Sequence, residues 1–151
     1  LVTGVAQAAF HDQANGSVTE RAGKATGSVL IGQPFDDPKY FWERPSATSP
    51  QAYNGGASAG SNLGTNNPAL VEAGKKGVEA LRAADPGNNA PIPVDLVAAS
   101  GSGLDPQISP AAARYQVARV ARARHMNASQ VRRWSNMRPQ AVRSASWASR
   151  G

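Results

Sequence analysis

With 151 residues, no cysteine and two histidines, the chain fits one modest domain and excludes a disulfide framework, a thiolate metal site and a cysteine nucleophile. Fifteen glycines and eleven prolines predict a small core beneath much irregular surface. The formal charge of +6 is unevenly divided: residues 1–113 carry seven basic and ten acidic side chains, whereas residues 114–151 carry nine arginines and no acid.

The first ten residues, LVTGVAQAAF, hold no charged side chain. A helix of that length rises about 15 Å, half the thickness of a bilayer's hydrocarbon layer, so it does not span a membrane alone. It fits the trailing half of a spanning helix, the end of a signal peptide or a short buried helix. QANG at 13–16 then predicts a turn, because Asn-Gly adopts positive φ cheaply. Ser17–Arg21 and Ala25–Ile31, flanking Ala22-Gly23-Lys24, predict a hairpin.

From Gln33 to Pro50, four prolines (Pro34, Pro38, Pro45, Pro50) forbid a continuous helix, while Phe35, Tyr40, Phe41 and Trp42 need burial or a partner. NGGASAGSNLGTNN at 54–67 has the composition of a flexible linker. A helix start follows it directly: Asn67 caps, Pro68 suits the first helical position, and Leu70, Val71, Gly74, Val78 and Leu81 recur at helical spacing until Asp85-Pro86-Gly87. Ile92–Ser100 predicts a strand starting near Pro93. Ser109-Pro110 repeats the cap-and-proline signal before AAARYQVARVARAR, a second helix. The fold class expected is α+β, with two or more helices and about three strands.

Candidate chemistry is sparse. Ser100-Gly101-Ser102-Gly103-Leu104-Asp105 places serines beside an aspartate, but neither His11 nor His125 sits in a G-x-S-x-G elbow, so a tight turn competes with a hydrolase nucleophile at Ser100 or Ser102. No lysine follows a glycine cluster in the phosphate-loop frame. Residues 127–151 contain Trp134 and Trp147 among arginines and no Leu, Ile, Asp or Glu; a nucleic-acid role would rest on phosphate neutralisation and stacking, and a disordered tail fits the composition better.

The segments QANGS, GSVLIGQPF, FWERPSAT, YNGGASAGSNLGTNNPAL, IPVDLVAASGSGLDPQISPAAA and YQVARVARAR, in this order, resemble the C subunit of the potassium-transporting P-type ATPase called Kdp, from about Leu1 to Arg132. The resemblance implies a non-catalytic accessory subunit: residues 1–11 end a single transmembrane helix, 12–126 form an extracytoplasmic domain of a bacterial plasma-membrane complex, and 127–151 form a basic tail. It implies as partners a potassium-translocating subunit, an ATP-hydrolysing subunit and a very small fourth subunit, with no nucleic acid and no metal. The family is described as stabilising the assembly and as a catalytic chaperone raising the ATP affinity of the hydrolysing partner, with no cofactor held by this chain alone. In that description Ser100, Gly101, Ser102, Gly103 and Gln116 are the nucleotide contacts. A domain outside the membrane does not touch cytoplasmic ATP, so the effect would pass through packed helices. Docking is the better-grounded expectation, on Phe35, Tyr40, Phe41, Trp42, Arg44, Asn62 and Leu63; for Asp36, Asp37 and Glu43 a role in concentrating K+ near the ion entrance competes with a solvated charge cluster, which fits better because only a cleft focuses such a field. After Arg132 the sequence departs from the family's acidic, leucine-rich ending, which suggests a frameshifted or truncated reading frame.

Overall fold

The computed structural model describes residues 1–137. Along the chain run helices α1 (Val2–Ala9) and α2 (His11–Ala14), strands β1 (Val18–Arg21) and β2 (Lys24–Ser28), helix α3 (Pro68–Ala84), a 3-10 turn (Val94–Leu96), and helices α4 (Pro110–Ala123) and α5 (Ala128–Met137). This is α+β, with one antiparallel two-stranded ribbon among the described residues.

The hairpin forms where the sequence predicts it. Val18 pairs with Ser28 and Arg21 with Lys24, and Ala22 and Gly23 both take positive φ at its tip. Asp12 and Ser28 join it to α2: the Asp12 carbonyl accepts the Ser17 N–H at 2.7 Å, and the Ser28 hydroxyl donates to the Gly16 carbonyl at 2.6 Å. No helix among the described residues is long and apolar enough to cross a membrane. The buried alternative for residues 1–10 is overturned, because α1 buries no residue and Val2, Val5 and Phe10 stand exposed.

Both cap-and-proline signals start helices. Asn67 accepts the Ala69 N–H at 2.9 Å ahead of Pro68, and Ser109 accepts the Ala112 N–H at 3.0 Å ahead of Pro110. Two cores result. Phe41 packs with Ala113, Val117, Val120, Ala121 and Val131 between α4 and α5, while Leu81, Leu96 and Ala112 join α3 to α4 through the 3-10 turn.

Two expectations are corrected. Ile92–Ser100 forms no strand: prolines at 91 and 93 remove donors, and Asp95 instead accepts from the Ser109 N–H at 2.6 Å and its hydroxyl at 3.2 Å, folding the segment onto the start of α4. Nor does order end at residue 127. Asn127 accepts the Ser129 N–H at 2.9 Å, α5 follows, and Val131, fully buried, packs against α4. Composition weighted the missing acids and leucines, whereas one well-placed valine suffices to seat a short helix. Residues 138–151 of the expected tail lie outside the described residues.

Candidate functional site

The proline-rich aromatic segment lies along α4, and α4's polar side chains hold it there. Gln116 is fully buried; its Oε1 accepts the Trp42 N–H at 2.8 Å while its amide donates to the Trp42 carbonyl at 3.0 Å. A glutamine thus completes the hydrogen bonding of a segment that prolines keep out of any ladder. One turn on, Arg119 donates to Gln116 Oε1 at 2.5 Å and to the Pro38 carbonyl at 2.7 Å, and its guanidinium lies 4.3 Å from the Trp42 ring centroid. Burial lowers the Arg119 guanidinium to about 10, against the opposing pull of Asp85. Arg124 donates to the Lys39 carbonyl at 2.7 Å and lies over the Tyr40 ring, which itself meets Phe35 with centroids 5.0 Å apart.

The result is a row of aromatics with inward anchorage and outward surface. Phe41 belongs to the core and presents nothing to a partner, correcting the expectation for that residue. Phe35, Tyr40 and Trp42 are half-buried. Arg44 is turned inward as well: it donates to the Ala99 carbonyl at 3.3 Å and lies 3.6 Å from the Asp105 carboxylate. Asn62 is exposed at positive φ, beside a half-buried Leu63.

The three acids expected to gather K+ do not form one exposed cluster. Glu43 is buried and accepts the Gln33 N–H at 3.1 Å. Asp37 pairs with Lys39 at 2.7 Å, and that hydrogen bond holds its carboxyl below the usual range. Asp36 is exposed.

The Ser100–Gly103 turn is stapled by its own chain. Ser102's carbonyl accepts from Ala59 N–H and the Ser58 hydroxyl, both at 3.0 Å, and Gly103's carbonyl accepts the Ser46 hydroxyl at 2.6 Å. Gly103 sits at φ +68°, where a Cβ would stand 2.5 Å from the Ala59 carbonyl oxygen. The glycine-rich loop is therefore pinned to this turn at residues 58–60 instead of swinging as a linker. Ser46 and Thr48 form the hub beneath: Ser46 Oγ accepts the Tyr53 N–H at 2.8 Å, and Thr48 Oγ1 donates to the Gln51 carbonyl at 2.7 Å. The Tyr53 hydroxyl donates to the Arg44 carbonyl at 2.6 Å, and burial, with the Glu43 and Asp36 carboxylates, pushes it well above the ordinary tyrosine range.

Among the described residues, no hydrogen bond joins His11 or His125 to Ser100 or Ser102; His11 meets Asn15, and Ser100 Oγ accepts the Asp105 N–H at 3.4 Å. Gln116 makes its hydrogen bonds to Trp42 and Arg119, and among the described residues no hydrogen bond joins it to the turn. Sequence reasoning missed Arg119, Arg124, Ser46 and Thr48. The two arginines act on residues more than 80 positions away, at Pro38 and Lys39, which leaves no local spacing to detect.

Residues 1–143 match the family model described as K+-transporting ATPase, c chain, a match that runs past Arg132. The chain is 66% identical over 134 residues to the potassium-transporting ATPase KdpC subunit of Sorangium cellulosum, covering 89% of this chain and 70% of that protein. It is 68% identical over 127 residues to the protein of the same name from Methylococcus capsulatus, with coverages of 84% and 67%. With the one from Ralstonia nicotianae it shares 64% over 132 residues, with coverages of 87% and 65%.

Proposed function

The chain belongs to the family of the c chain of the K+-transporting ATPase, an accessory subunit of the potassium uptake complex, and from that premise we propose that its work is structural docking. The outer faces of Phe35, Tyr40 and Trp42, with Asn62 and Leu63 as the second contact, seat against the potassium-translocating subunit on the extracytoplasmic side of the membrane. Residues 1–11 continue a membrane anchor. The ATP-hydrolysing subunit does the chemistry, and any gain in its ATP affinity reaches it through the assembly, with no nucleotide held by this chain.

One observation carries the reading. The segment that displays the aromatics is irregular and proline-rich, yet Gln116, Arg119 and Arg124 lock it to α4 from within. A surface whose side chains are held before binding loses less conformational freedom on association, and aromatic side chains buried at the centre of a contact are the residues most apt to anchor an interface. Pressed against a larger partner, such a row fixes position.

The test is co-purification of the assembled pump with variant chains, followed by K+-dependent ATP hydrolysis. Phe35→Ala with Tyr40→Ala is expected to lower recovery of this chain with the complex at least tenfold while its melting temperature holds. Ser100→Ala with Ser102→Ala is expected to leave recovery and hydrolysis within twofold. Full recovery of the aromatic variant would overturn the docking reading.

A further inference from the structure

Residues 1–31 form an arm that is bonded mainly to itself, through α1 on α2 and the hairpin on α2. The arm meets the body at Ile31–Gln33, and the contacts there have an unusual form. The Gln33 backbone N–H donates to the buried Glu43 carboxylate at 3.1 Å, while its side-chain amide reaches back to the Thr26 carbonyl of β2 at 3.3 Å. One residue earlier, the Gly32 N–H donates to the Leu104 carbonyl at 2.9 Å. Both neighbouring glycines lie close against these groups: a Cβ on Gly32 would land on the Glu43 carboxylate and the Tyr53 ring, and one on Gly27 would stand 2.6 Å from the Gln33 amide nitrogen and displace it. Tyr53, at positive φ, is itself fixed at both ends by Ser46 and Arg44.

We infer that Gln33 and Glu43 form a two-sided latch that sets the angle between the N-terminal arm and the body. Gln33 holds the arm with its side chain and is held by the body through its backbone. Glu43 lies on the same segment as Tyr40 and Trp42, so the latch ties the arm's direction to the aromatic row. Its functional consequence rests on the docking reading, because an arm fixed to that row relates the membrane end of the chain to the docked face. The latch itself is a property of this chain and is tested without the pump.

The chain contains no cysteine, so two introduced ones carry the only spin labels. Lys24→Cys at the hairpin tip and Ala73→Cys on α3, both exposed, report arm-to-body distance by pulsed electron spin resonance. The otherwise unchanged chain is expected to give one narrow distribution. Gln33→Ala is expected to at least double its width with the melting temperature held within about 3 °C, a shift that corresponds to about 1 kcal/mol in a domain of this size. Glu43→Ala is expected to broaden it equally, and Glu43→Gln, which keeps an acceptor for the Gln33 N–H, to restore the narrow form. Should Glu43→Ala fail to fold, Gln33→Ala decides alone, since it removes only a surface hydrogen bond. A distribution that stays narrow in Gln33→Ala, or is broad before any substitution at 33 or 43, overturns the latch and leaves the docking test untouched.

Discussion

Helices α3 and α4 begin with the same local grammar, an Asx or Ser cap followed by proline, and end in opposite circumstances. Seven of α4's residues are buried, including Gln116 and Arg119, whereas α3 buries Leu81 and leaves Val71 and Val78 facing solvent. Local chemistry starts a helix; what it does afterwards depends on what the rest of the chain brings to it. The aromatic segment, the 3-10 turn and α5 all come to α4, so its polar residues become internal fasteners. Among the described residues, α3 meets the body from its middle onward, at Gly77 against Val97 and at Leu81 against Leu96 and Ala112.

The contrast breaks first at Gln116. Its replacement by Ala strands the Trp42 N–H and carbonyl beneath the surface along with a cavity, and is expected to cost about 3 to 5 kcal/mol by urea denaturation. A cost under about 1 kcal/mol would mean α4 does not hold the segment. Val120→Ala, inside the α4–α5 core, is expected to cost about 2 to 3 kcal/mol by the same measurement. The two caps sharpen the comparison: Ser109→Ala is expected to cost about 2 kcal/mol because it loses the bond to Asp95 as well as the cap, against about 1 for Asn67→Ala. Val78→Ala on the open face of α3 is expected to change stability by less than about 0.5 kcal/mol.

Between the helices, Tyr53 gives the loop layer a pH signature. Its folded-state value is raised, so the stability it contributes is complete below pH 10 and is lost as pH climbs from there toward that raised value. Arg119, lowered to about 10 by burial, works with the opposite sign over the same range. Tyr53→Phe is therefore expected to lose about 1 kcal/mol at pH 7, from the bond to Arg44, and to show a shallower decline or a rise between pH 10 and 11. An unchanged alkaline slope would remove Tyr53 from the account.

What the sequence disclosed was local. The hairpin tip, both caps and the stop before Asp85 depend on residues within four positions of one another, and all appear in place. What it concealed was set by distant partners. Asp95 traded a strand for a bond to Ser109, Val131 seated α5, and Gln116 closed on Trp42 from 74 residues away. Of the expected surface residues, Phe35, Tyr40, Trp42, Asn62 and Leu63 keep some exposure. Phe41 and Arg44 turned inward, because aromatic and arginine content alone does not say which face of a segment its prolines will bend toward the core.

The central claim is that α4 holds the aromatic row as a prepared docking face and that the serine–glycine turn is a staple. Hydrogen–deuterium exchange on the assembled pump against the isolated chain tests it most directly. Added protection at residues 33–44 and 61–63 on assembly, with residues 100–104 unmoved by ATP, is the predicted result. Protection that appears instead at 100–104 when ATP is added, with 33–44 unchanged, would contradict it.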